Sequence, residues 1–155
     1  MEKTPCQVRI DSAFAEGGKR FPGTFETTEE RIRVSWIQEE EEKGQGESHF
    51  LLNYRVKEKT LHMSRKGSAE TDMAFQEGQK TEGIMRTSHG DFDLLMETFR
   101  LSFFPEEEER EVEEDGQIYL VKKAFLEYDL CFPQQDPMRN NMIFEVRLAK
   151  IEKNV

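Results

Sequence analysis

Two cysteines in the whole chain, Cys6 and Cys131, are too few to staple a secreted scaffold together. Neither has a C-x-x-C partner or a basic neighbour that would activate it, so both read as inert thiols. No stretch approaches the roughly 18 consecutive apolar residues of a membrane span. The opening Met1-Glu2-Lys3-Thr4-Pro5-Cys6 lacks the apolar run of a signal peptide or of a lipid-anchored cysteine. The expectation is a reduced, cytoplasmic protein, with no membrane, built as one domain over 1–155. Positive charge is also scarce. The 22 Lys and Arg face 32 Asp and Glu, for a formal net charge of −10. That excludes a nucleic-acid module led by a basic face and a chain drawn by charge to anionic lipid.

Catalytic signatures are missing as well. His49, His62 and His89 are the only histidines, and no pair has a spacing that sets two on one strand face for a metal. Ser88, His89 and Asp91 invite comparison with a triad, but consecutive strand residues point to opposite faces. There is no Gly-x-Ser-x-Gly elbow, and Gly17-Gly18 has no following helix to cradle a phosphate. The sequence therefore predicts no enzyme, no cofactor and no metal.

What is present is acid in two places and alternation nearly everywhere else. Glu39 to Glu47 carries net −4 and Pro105 to Gly116 net −7, which leaves the rest of the chain close to neutral. Both segments read as solvated loops between apolar-patterned runs. A docking surface for a basic partner is the alternative, and a calcium loop is disfavoured because neither run alternates Asp and Asn around a central Gly.

Period-two patterning recurs from end to end. Val8, Ile10, Ser12 and Phe14 share one face, and Gly17-Gly18 then reads as a hairpin turn. Thr24 to Thr28 forms a short strand entered through Pro22-Gly23. Ile32, Val34 and Trp36 follow, then Phe50, Leu52, Tyr54 and Val56. Thr60 to Lys66 sets Leu61, Met63 and Arg65 opposite His62 and Ser64, and Glu70 to Gln76 sets Met73 with Phe75. Lys80 to Ser88 and Asp91 to Phe103 flank the turn at His89-Gly90, with Phe92, Leu94, Met96 and Thr98 together. Gln117 to Phe132 gives Ala124, Leu126, Tyr128, Leu130 and Phe132. Asn141 to Ile151 gives Met142, Phe144, Val146 and Leu148. No segment carries a capped helical stripe.

About ten short strands punctuated by Gly and Pro indicate an all-β meander. A flat sheet of that size would expose its edges, whereas closure into a single up-and-down antiparallel barrel of about eight to ten strands removes them. Such a barrel is either filled by side chains or holds one small ligand.

The strings Gly83-Ile84-Met85-Arg86-Thr87-Ser88-His89-Gly90-Asp91-Phe92 with Leu94 and Thr98, Gly23 with Val34-Ser35-Trp36-Ile37-Gln38-Glu39, and Phe125-Leu126-Glu127-Tyr128-Asp129-Leu130 carry a further signal. On them the chain resembles the YwiB-like family of small bacterial proteins, a domain of unknown function among the lipocalin-like (calycin) β-barrels. The resemblance spans nearly the whole chain and implies the barrel, but it transfers no activity. The acidic loop before Gly116 and the Pro133 to Asn141 loop look longer than the family pattern, and the first hairpin shorter. The Gly-x-Trp signature of true lipocalins is absent, so that likeness is one of architecture.

The barrel interior is then the candidate site, lined by Trp36, Phe50, Tyr54, Met63, Phe75, Leu126, Tyr128 and Phe144, with Arg86 as a candidate anchor. Alternation does not decide which way Arg86 points. Turned inward, it is a buried cation that needs a carboxylate from the protein or from a ligand. Turned outward, it pairs with a surface acid. The sequence thus supports a non-catalytic barrel that binds a small apolar or acidic-apolar ligand. The alternative is a solid-core barrel that acts through its acidic loops or as a homodimer formed on a barrel face.

Overall fold

The computed structural model describes residues 2–12, 18–39 and 46–150. Eleven strands carry most of them: β1 (Glu2–Ser12), β2 (Phe21–Thr27), β3 (Arg31–Glu39), β4 (Glu47–Arg55), β5 (Thr60–Lys66), β6 (Glu70–Gln76), β7 (Lys80–Thr87), β8 (Gly90–Phe103), β9 (Arg110–Glu114), β10 (Gln117–Cys131) and β11 (Met138–Ala149). Among the described residues there is no α-helix, only a 3-10 turn at Glu106–Glu108. Each strand from β1 to β8 pairs with the next, β8 pairs with β10, β10 with β11, and β11 returns to β1. Ten antiparallel strands therefore close into a lipocalin-like up-and-down barrel. β9 stands outside the ring, on the flank of β10 that β8 occupies farther along (Gln117↔Glu114 to Val121↔Arg110).

The alternation in the sequence is the alternation of the wall. Val34, Leu52, Leu61, Phe75, Met96, Leu126 and Val146 turn inward and are fully buried. Burying one such side chain contributes about 1.5–3 kcal/mol, and the register stacks them across neighbouring strands, as in Val34↔Leu52↔Met63↔Met73. Gly23 faces inward opposite Trp36 and Cys6. A Cβ there would lie 2.4 Å from the Ser35 carbonyl oxygen and 3.1 Å from the Trp36 Cβ, so only glycine lets these strands approach.

Several strand limits differ from the sequence expectation. β1 begins at Glu2, ahead of Pro5, and β2 runs through Pro22-Gly23 instead of starting after them. Pairing with β2 carries β1 through Glu2 to Pro5, and pairing with β1 carries β2 through Pro22, which overrides local propensity. β11 takes in Asn140, which looked like loop. Phe14, Gly17 and the middle of the first acidic run lie outside the described residues, while Glu39 closes β3 and Glu47 opens β4.

The second acidic run is largely exposed, as expected, but it is not all loop. Arg110 to Glu114 is strand β9, and three of the run's eight acids pair with cations from elsewhere in the chain. Glu109 pairs with Lys122, Glu111 with Lys150 and Glu114 with Arg147. Opposite charges from β10, β11 and Lys150 just after it offset part of the repulsion that the sequence alone suggests.

β8 carries a bulge. Glu127 faces Arg100 while the next residue of β10, Tyr128, faces Thr98, so Phe99 is left over. An extra residue inverts the alternation. Leu94, Met96 and Thr98 face inward before the bulge, and Leu101 and Phe103 face inward after it. The β6–β7 turn holds this irregularity. The Gly78 N–H donates to the Thr98 carbonyl at 2.8 Å, and the Leu101 N–H donates to Glu77 Oε1 at 3.0 Å. Phe99 turns outward under the Arg139 guanidinium, 4.2 Å away.

Candidate functional site

The two ends of the barrel are built differently. The β2–β3, β4–β5 and β6–β7 turns and the end of β8 gather at one end, where aromatic rings form a plug. Phe103 stacks on Tyr54 at 4.7 Å and meets Phe104 at 4.6 Å, and Phe104 meets Phe25 edge-on at 5.7 Å. Two consecutive residues of a strand cannot both face inward. Phe104 does so because it leaves the strand with φ of 51°, a left-handed conformation rarely adopted outside Gly and Asn. Lys122 caps the plug, 5.4 Å above the Phe25 ring, and is held by Glu109. Burial, then the Glu77 carboxylate, push the Tyr54 hydroxyl above its usual range.

The β3–β4, β5–β6, β7–β8 and β10–β11 connections gather at the opposite end. Here several inward apolar side chains are only partly covered. Ile10, Phe50, Met63, Met73, Met85 and Met142 pack against the buried core yet stay partly exposed. Four of these six are methionines, unbranched and polarizable, which adapt to irregular neighbours. Gly83 leaves room for one more, since a Cβ there would come within 3.1 Å of Met96 Cε.

Polar groups line the inner wall in two places. Thr98, Tyr128 and Asn140 occupy one row across β8, β10 and β11, in direct register. All three are buried, at 1%, 6% and 4% exposure. Asn140 Nδ2 donates to the Tyr128 hydroxyl at 3.0 Å, and Tyr128 tilts against Phe75 at 4.8 Å. The Thr98 hydroxyl is buried without a hydrogen-bond partner in the protein. Burial raises the Tyr128 hydroxyl above its usual range, and the bond from Asn140 partly offsets this.

The second place is Arg65, which faces inward between Phe50 and Thr71 on its neighbouring strands. Its Nε donates to Ser48 Oγ at 3.3 Å, and its guanidinium lies 5.5 Å over the Phe50 ring. Phe50 stacks in turn on Trp36 at 5.1 Å with planes 4° apart, and Trp36 Nε1 donates to Gln38 Oε1 at 2.9 Å.

Of the residues expected to line the interior, Trp36, Phe50, Tyr54, Met63, Phe75, Leu126, Tyr128 and Phe144 all belong to the core or pack directly against it. Tyr54 belongs to the plugged end. Arg86 does not join them. It lies on the outer face, half-exposed, opposite Glu70 and Asp91 and 3.8 Å from Asp72. The register of β6 on β7 decides this, because Met85 pairs with inward Thr71 and so turns Arg86 out. Arg65 is instead the cation that faces inward among the expected lining residues, as Lys122 does at the plugged end. Its signal was already in the alternation that placed it with Leu61 and Met63. Thr98 was likewise on the inward face. Ser48 and Asn140 left no such mark, standing at strand ends among loop-like residues.

The outer wall offers a different surface. A groove of about 800 Å³ crosses β1 to β5, lined by Lys3, Arg33, Ser35, Ile37, His49 and Lys66 among others. A smaller cleft of about 470 Å³ lies where β10 ends, between Glu82, Asp93, Leu95 and Cys131. His49, His62 and His89 are all exposed and lie on β4, β5 and the β7–β8 turn. Cys6 is buried, and burial pushes its thiol up to about 11. Ser88 and His89 form the β7–β8 turn, where the His89 N–H donates to Thr87 Oγ1 at 3.1 Å.

The architecture has a solved counterpart. The crystal structure of the YwiB protein from Bacillus subtilis superposes with a TM-score of 0.68 over 96% of this chain and 94% of that one, at 16% identity. At that identity the likeness establishes the fold. No curated protein matches the sequence. Residues 18–143 match the family model described as Domain of unknown function (DUF1934), and the chain belongs to that family.

Proposed function

We propose that this barrel binds a small, largely apolar molecule in the half of its interior opposite the aromatic plug, and that it acts by holding that molecule rather than by transforming it. The observation that carries the reading is the asymmetry of the inner wall. An aromatic plug fills one end, with Ile32, Tyr54, Leu101 and Leu148 partly exposed around it, while at the other end the partly exposed side chains are Phe50 and the adaptable methionines Met63, Met73, Met85 and Met142. An apolar lining that water reaches is a favourable place for an apolar guest. The buried, unpartnered Thr98 hydroxyl beside Tyr128 supports it, since a ligand group or a water there would supply the missing bond. Among the described residues no nucleophile, base and orienting group meet on the inner wall, and the ligand needs no cofactor to be held.

A second reading, a packed barrel that works through its surface, draws on the outer groove with its exposed Ile37. The acidic route to a partner is weakened by the ion pairs that already engage Glu109, Glu111 and Glu114.

The neutral fluorophore N-phenyl-1-naphthylamine separates these readings. Saturable uptake at one site per chain, with quenching of the single tryptophan Trp36, is expected for a ligand barrel. Absence of uptake together with a dimeric mass in solution supports the surface reading instead.

A further inference from the structure

We infer that the guest presents an uncharged carbonyl oxygen to the Thr98 and Tyr128 hydroxyls. This rests on the ligand-binding reading above and names the chemical class of the ligand's polar end. The two residues are paired in direct register across β8 and β10, and they are 1% and 6% exposed. The Thr98 hydroxyl has no hydrogen-bond partner in the protein. The Tyr128 oxygen accepts from Asn140 Nδ2 at 3.0 Å, which leaves its own O–H without an acceptor among the described residues. Two buried donors in neighbouring positions therefore lack acceptors, and buried polar groups are rarely left so.

The surroundings set the charge of the missing acceptor. Along the inner face of β8, β10 and β11 the neighbours of this row are Met96, Leu126, Leu130 and Met142, none of them a cation that could hold an anion. Desolvating an unpaired carboxylate there is costly, whereas a neutral carbonyl loses far less. A carbonyl oxygen carries two lone pairs and no hydrogen, which matches two donors, while an alcohol brings a third donor. On β10 and β11 the row lies one inward position below the rim, where Leu130 is partly exposed and its partner Met138 is 44% exposed. Met96 and Met142 flank the row, and unbranched side chains of this kind turn aside to admit a guest. An apolar ketone, aldehyde or ester, with its chain along the methionine-lined wall, fits these features.

The test uses 2-undecanone, a linear methyl ketone, to displace the carbonyl-free fluorophore N-phenyl-1-naphthylamine. Wild type is expected to bind the ketone, and the infrared carbonyl band of the bound ketone is expected to lie below its position in hexane, as for a carbonyl that accepts hydrogen bonds. In Thr98→Val, which keeps the shape of the side chain, the band is expected to rise and ketone affinity to fall about fivefold or more, with uptake of the fluorophore unchanged as the folding control. Tyr128→Phe is expected to act in the same direction. A ketone affinity and band unchanged in Thr98→Val, or fluorophore uptake that the ketone does not displace, overturns the carbonyl inference and leaves the apolar barrel standing. Failure of wild type to take up either compound overturns the ligand reading itself, and this inference with it.

Discussion

Thr98 and Tyr128 stand side by side on the inner wall, paired across β8 and β10, and only one of their hydroxyls has a protein partner. Tyr128 receives a bond from Asn140, and Thr98 receives none. A buried hydroxyl without a partner costs stability that a methyl group of the same shape would not. Thr98→Val is therefore expected to leave the free protein as stable as wild type, or to stabilise it by about 1 kcal/mol, in urea unfolding. The same variant is expected to weaken retention of any molecule that uses the hydroxyl. A loss of stability well above that figure would mean that the hydroxyl is satisfied within the protein.

The aromatic plug should be the most stability-sensitive feature of the fold. Phe104→Ala removes a ring that is 5% exposed and touches both Phe25 and Phe103, and should cost about 3 kcal/mol or more. Phe104→Leu should retain most of that stability. Thermal unfolding of the two variants checks the order, and equal losses would place the cost in the unusual backbone at Phe104 rather than in the ring.

The two thiols should part company under a thiol reagent. Burial holds Cys6 protonated to about pH 11, against an ordinary value of 9.0, whereas Cys131 lies beside an open cleft. Cys131 is expected to react first in native protein, and Cys6 only on unfolding. The same shift sets an alkaline limit. The unfolded thiol ionises from about pH 9 and the folded one only near 11, so stability is present below 9 and declines across that window. Cys6→Ala should flatten the decline in a pH series of urea midpoints.

At the acid end the corresponding group is Glu114. The hydrogen bond and then the charge of Arg147 hold its carboxyl below the usual range. Its contribution is present above the ordinary carboxylate value and is lost as pH falls through the depressed one. Hydrogen exchange across β9 should rise over that interval and rise less steeply in Glu114→Gln. Glu114 is exposed, so the effect should shrink in high salt.

The barrel was legible because its inner wall is written as period two, and Lys80 to Ser88, Thr60 to Lys66 and Glu70 to Gln76 match their strands to within a residue. The features that shape the site were less legible. The Phe99 bulge inverts the alternation through a backbone register that no local pattern records. Phe104 turns inward by a φ that its residue type does not advertise. Strand β9 looked like a repelling acidic loop, since its neutralising partners Lys122, Arg147 and Lys150 come from other strands. Arg86 and Arg65 both stood on alternating strands. Only the pairing of β5 and β6 with their neighbours turns one out and the other in.

The central claim is that the half-open interior holds a guest, and native mass spectrometry of freshly purified protein, set beside its denatured mass, tests it most directly. The account predicts a discrete excess mass that is lost on denaturation, or one that appears after incubation with an apolar ketone. A protein that stays at its bare mass in both experiments would contradict it.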